Sequence, residues 1–239
     1  MPGFRSLRDR LRSRGGSPEP ELRVETTGPQ LVVHEPATGG IPTVADDGDH
    51  TSTVHESVDE ERLHDLLRED PNDEGRFAEL AAVVRRRAAE HAAGDLKQAE
   101  DTAVWALAEE LAHDQRAWYP LVELARLSLH DDREAAIRRL GVAAERDPSG
   151  RALLDGLVLL REAGDADGAL ALGMGHWRPS DHPLQAGREL VSAAVDAQRL
   201  AEARRHLDAL GAHPDATGVA AMRRDLDKAI VAAERARKG

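Results

Sequence analysis

A helix–turn–helix unit recurs along this chain every 33 to 34 residues. That period limits the fold more than any other feature of the sequence. The clearest copy is Leu157 to Gly173, reading LVLLREAGDADGALALG. An apolar helix end, Leu157 to Leu160, meets a Gly164-Asp165 turn. A second helix then starts, with small Ala169 facing back toward the first. Aligning the copies on that small residue places Ala136, Ala169 and Ala203 at separations of 33 and 34 residues. Ala99, which follows Gly94-Asp95, lies 37 residues before Ala136, so the earliest copy carries an insertion. One hairpin cannot bury its apolar face alone, and hairpins at a fixed period stack so that each covers the next.

The composition agrees with closely packed helices. Only 3% of the residues are aromatic, and the apolar fraction relies on Ala and Leu rather than on the β-branched and aromatic residues of a sandwich. Lys+Arg is 32 against Asp+Glu 44, a net charge of -12 that repels phosphates and argues against nucleic acid as a partner. Lys occurs only at Lys97, Lys228 and Lys238. That bias, with the Ala content, suits a GC-rich bacterial genome. There is no Cys, which removes disulfides, thiol chemistry and Cys-based zinc sites and fits a cytoplasmic protein. No apolar run approaches the ~20 residues that span a bilayer, and no signal-peptide core follows the charged N-terminus.

Three segments are expected. Residues 1–16, MPGFRSLRDRLRSRGG, carry five Arg against one Asp, with Phe4, Leu7 and Leu11 at helical spacing. This reads as a basic, amphipathic piece that could rest on anionic lipid, although stable anchoring usually needs a second signal. Residues 17–57 hold eight acids against Arg23 alone, are rich in Pro, Gly, Thr and Asp, and read as a disordered acidic linker. From Val58 to the end, residues 58–239, the pattern is helical throughout.

In that part Asp70-Pro71 stops the first helix and Asp73 can cap the second, which carries Phe77, Leu80, Ala81, Val84 and Ala88 on one stripe. The third turns Ala99, Ala103, Ala106 and Leu107 inward. Trp118 opens the fourth, which breaks at His130-Asp131-Asp132. Its partner, Arg133 to Arg146, places Glu134 and Arg138 as an i,i+4 pair on the wet side. Ser149 can cap the following helix. Gly173 and Gly175 are expected to weaken the Ala169 helix early, before Trp177 and Pro179. Ser180 or Asp181 can cap the next helix, with Pro183 in its first turn. The last helix, from about Asp215, shows Val219, Leu226 and Ile230 on one face and charge on the other, as a terminal cap does.

With these features the chain resembles the tetratricopeptide repeat family, TPR, whose unit is a 34-residue helix–turn–helix. The resemblance is carried by AWYPLVELARLSLHDDREAAIRRLGVAAERDP (Ala117 to Pro148), by LLDGLVLLREAGDADGALALG and by LVSAAVDAQRLAEARRHLDALGAHP. It covers residues from about 58 to 214. It implies an all-α, TPR-like helix-hairpin solenoid with a C-terminal capping helix, acting as a protein-binding scaffold. The family's clamp for an acidic chaperone C-terminus uses paired Asn with Lys or Arg. This chain has one Asn, Asn72, which argues against that mode.

No catalytic, cofactor or metal residue can be assigned. The His residues are scattered with no HExxH, and GxGxxG, Gly-Lys-Ser/Thr and GxSxG are absent. The expected function is therefore a non-catalytic protein–protein interaction scaffold for a protein or peptide partner. A membrane-peripheral adaptor and a regulatory accessory subunit are the alternatives. Arg85, Arg86 and Arg87 form the densest basic cluster in the helical part. Three consecutive helical positions cover most of the circumference, so at least one is expected to pair internally while others could meet a partner's carboxylate or phosphate. Trp105 and Trp118 read as core. Trp177, surrounded by glycines, is a candidate partner-binding residue.

Overall fold

A computed structural model of the chain describes residues 48–237, with side chains from residue 59 onward. The chain divides into two units, Met1–Asp59 and Glu60–Gly239. Residues 1–16, including the expected lipid-contacting piece, lie outside the described residues, as does most of 17–57.

The described residues form ten α-helices and one 3-10 turn, with no strand among them. They are α1 (Gly48–Glu69), α2 (Glu74–Glu90), α3 (Leu96–Leu111), α4 (Tyr119–Ser128), α5 (Arg133–Arg146), α6 (Arg151–Glu162), α7 (Ala166–His176), α8 (Leu184–Asp196), α9 (Leu200–Ala209) and α10 (Ala216–Ala236). α1 starts ten residues before the Val58 expected for it.

From α2 onward, extensive contacts join each helix to the next, as in α4 with α5 and α6 with α7. Next-but-one contacts join α4 with α6, α5 with α7, α6 with α8 and α8 with α10. This is the contact pattern of stacked hairpins, and it is compatible with a helical solenoid. The register follows the caps. Asp95, Asp132 and Asp165 each accept a hydrogen bond from the backbone N–H three residues on, opening α3, α5 and α7. Four residues after each of the last two caps stands Ala136 or Ala169, fully buried, and Ala203 is fully buried in α9. Leu140, Leu153, Leu157, Leu170 and Leu190 are buried and fill the space between hairpins. Truncating a Leu so placed costs about 2–5 kcal/mol.

α7 ends at His176, just before Trp177, and Gly173 inside it is a point of close approach: a side chain there would overlap Leu190 of α8. Three local expectations are corrected. The cap of α6 comes from buried Asp147, whose Oδ2 accepts from Ala152 N at 2.7 Å, while Ser149 donates its hydroxyl to Asp147 Oδ1 at 2.6 Å. Neither Ser180 nor Asp181 caps α8, which starts from Pro183 without a side-chain cap. Ala106, expected inward, is exposed.

Longer-range polar groups tie the hairpins together. Trp118, at the N-terminus of α4, has no side-chain cap of its own. Asn72 supplies one from the α1–α2 loop: its Oδ1 accepts from Trp118 N at 2.7 Å and Tyr119 N at 3.0 Å, and its Nδ2 donates to Arg116 O at 2.9 Å. Arg146, ending α5, donates through Nη1 to the carbonyls of Ala112, Asp114 and Ala117. Arg133 pairs with the capping Asp165, and Arg199 reaches Asp167 at 2.8 Å, so successive turns are joined by ion pairs.

His182 lies buried in the α7–α8 loop, its ring filling the space a side chain at Gly150 would need. Arg178 approaches both ring nitrogens, through its backbone N at 3.4 Å and its Nε at 3.5 Å. Burial first, and then the Arg178 charge, hold this imidazole below its ordinary range, against the opposing pull of Asp147 and Asp181.

Two outcomes follow. Asn72→Ala leaves two N–H groups without their acceptor and is expected to cost about 1–2 kcal/mol by urea denaturation; a change below about 0.3 kcal/mol would remove Asn72 from this role. Unfolded His182 takes up a proton below about pH 6.5, which the folded ring resists. Its contribution is therefore complete above that pH and is lost as pH falls toward the depressed folded value. The urea midpoint of the wild type should drop between about pH 7 and pH 5, and His182→Gln should flatten the slope. Parallel slopes would contradict it.

Candidate functional site

The apolar stripe of α2 outruns the core. Phe77, Leu80 and Ala81 are buried, but Val84 and Ala88 on the same stripe are half-exposed. On α3 the same happens: Val104, Trp105, Leu107 and Ala108 are buried, whereas Ala103 is partly covered and Ala106 is open. The two uncovered faces meet in a groove of about 530 Å³. Its α2 side is Val84, Arg87, Ala88 and His91, and its α3 side is Ala103, Ala106, Leu107 and Glu110, with His64 of α1 closing the edge. Each side runs i, i+3, i+4, i+7, two helical turns or about 10 Å. A polar hollow of about 440 Å³, between Glu61, His64, Asp65 and Arg68 of α1 and Glu110 of α3, continues the groove.

The basic cluster splits across α2. Arg87 lines the groove and is held there by Glu60, its Nη1 donating to Oε1 at 3.0 Å. Arg85 is half-buried, and Arg86 is exposed. At least one member of the triplet, Arg87, thus pairs internally, as the helical geometry requires. Trp177 is packed against the main core, edge-on to His206 with ring centroids 6.1 Å apart, and it lies where a side chain at Gly187 would collide with it. Its indole is therefore half-buried between α8 and α9. Trp105 and Trp118 are core residues, 4% and 9% exposed, with Arg139 stacked over Trp105 at 4.9 Å.

A second polar surface lies where α2, α4 and α6 begin. Arg151 of α6 reaches Glu74 of α2 at 2.8 Å, and Arg126 of α4 pairs with Glu123 at 3.3 Å. Tyr119 packs edge-on against Phe77, and burial, then Glu123 and Glu74, push its phenol up. Burial and Glu74 likewise push the Asp155 carboxyl up, against Arg151 and Arg126. These charges are largely satisfied by one another. Among the described residues no group of three or more His, Asp or Glu is arranged to hold a metal ion, and no helix is long and apolar enough to cross a membrane. The groove has an apolar floor with charged edges.

Val84, Ala88, Ala103 and Ala106 were visible in the sequence as apolar stripe residues. That they lack a cover was not, because an uncovered stripe and a buried one have the same spacing. No protein-family model, curated protein or solved structure matches the chain.

An open floor tolerates what a packed crossing does not. Ala106→Arg is expected to shift stability by less than about 0.5 kcal/mol, and the same substitution at buried Ala136 to prevent cooperative folding. Chemical denaturation of the two variants checks this; equal losses would mean that the groove is closed in solution.

Proposed function

We propose that this chain is a non-catalytic protein–protein interaction scaffold built from TPR-like repeats. The observation that carries the reading is the groove between α2 and α3, where two apolar stripes continue beyond the core and meet no other part of the described chain that covers them. Exposed apolar surface of this kind costs solubility unless it serves a contact. The hairpin register of Ala136, Ala169 and Ala203 supports the TPR-like assignment, as does the pattern of next and next-but-one helix contacts. A stack of this sort offers long, rigid helical faces, and rigid faces bind with little ordering cost.

Arg87 lines the groove from α2, paired with Glu60, and Arg85 and Arg86 stand beside it on the same helix. These three are candidate contacts at the α2 edge, where they would border a bound partner rather than anchor it. Trp177 contributes through packing that holds α8 and α9 together, and so shapes the surface.

Crosslinking in native cells tests the scaffold reading, using the full-length chain and a photoreactive residue introduced at Ala106. A defined protein partner should be captured, and adding Ala88→Arg across the groove should abolish that capture. Capture of no protein above a mock sample under any growth condition would contradict the proposal.

A further inference from the structure

The charges at the edges of the α2–α3 groove select among the partners it could hold. Four carboxylates stand there: Glu60, Glu61 and Asp65 of α1 and Glu110 of α3. Two are neutralised locally, Glu60 by Arg87 and Asp65 by Arg68. Glu61 and Glu110 have no ion-pair partner among the described residues, and both face the polar hollow that continues the groove. The apolar floor therefore opens onto a site with uncompensated negative charge. The basic residues nearest to it are already engaged.

The shape points the same way. The floor is a seam of two helical stripes, each two turns long. A third helix laid along it would present its own i, i+3, i+4, i+7 residues to that seam, as in the helix-in-groove mode of recognition. Partly covered Ala103 and exposed Ala106 have small side chains that let a helix approach closely.

We infer that the α2–α3 groove takes a basic amphipathic helix of a partner protein, with Leu-type residues on the seam and Arg or Lys flanking them toward Glu61 and Glu110. The inference rests on the scaffold reading above and names the partner's chemistry. The carboxylates steer and orient the helix, and the apolar stripe supplies most of the burial. Binding should weaken as salt rises, since the pairs at the rim remain partly in solvent.

The test uses the full chain and synthetic peptides of about 18 residues, five helical turns, read by fluorescence anisotropy. One peptide carries a Leu stripe flanked by Arg, a second replaces every Arg with Glu, and a third shuffles the first. The Arg peptide should bind at least about tenfold more tightly than either control, and the double variant Glu61→Lys with Glu110→Lys should weaken it about tenfold. Ala106→Arg should abolish it. Equal binding of the shuffled peptide would overturn the inference, by reducing the effect to attraction toward a chain of net charge -12. So would tighter binding of the Glu peptide, or indifference to Ala106→Arg. None of these results would remove a partner captured in cells, so loss of this inference and loss of the scaffold reading are separate outcomes.

Discussion

Close approach of two helices at a small residue is the constraint on which the rest of this structure depends. Ala136, Ala169 and Ala203 sit without exposure at successive hairpins. With no side chain beyond a methyl at those points, paired helices come near enough for leucines such as Leu140, Leu157, Leu170 and Leu207 to bridge to the neighbouring hairpin. Gly173 takes the idea further, giving Leu190 of the next hairpin the space its own side chain would have used. The apolar face of one hairpin is thus completed by the next. The chain ends in α10, which buries Val219, Leu226 and Ile230 and turns charge outward.

Packing of this kind fixes how deep the helices lie but only weakly fixes where along their axes they stop. Polar groups supply that information. The capping aspartates Asp132 and Asp165 start the second helices, and Asp165 is also the partner of Arg133 one hairpin earlier. Asn72 starts α4 from a loop 46 residues away in sequence, and Arg146 gathers three carbonyls of the α3–α4 loop. Apart from the Arg133–Asp165 ion pair, each of these bonds satisfies a backbone group at a helix end or in the adjoining loop. A hairpin displaced along the stack would lose them together.

What could be read from the residues follows this division. The helices, their hairpin pairing and the buried alanines were legible because each depends on local spacing: a 3.6-residue stripe, a Gly-Asp turn, a period near 34. Asp73 was legible as a cap because its acceptor role reaches only to Arg76 N. The roles of Asn72, Arg146 and Asp147 were not, since nothing in their immediate neighbours marks a partner that lies beyond the local turn. Ser149 was the plausible cap for α6 by type, but Asp147 reaches Ala152 N because Gly150 adopts φ 76° and folds the chain back over it. The groove was half legible. Its apolar stripes could be seen, and Arg87 could be singled out, but that no described helix covers Val84 and Ala106 is a fact of the stack rather than of the stripe. Trp177 could not be placed from the glycines near it in sequence, because the glycine that makes room for its indole, Gly187, lies on the next helix.

Stacked hairpins that touch only near neighbours should not share a single stability. Native-state hydrogen exchange across α2 to α10 tests this most directly. The account predicts graded opening energies, highest in α5 to α8, where hairpins are covered on both sides, and lower in α10, which is covered on one. One common opening energy for every protected amide would contradict it, and would mean that the helices close around a single core.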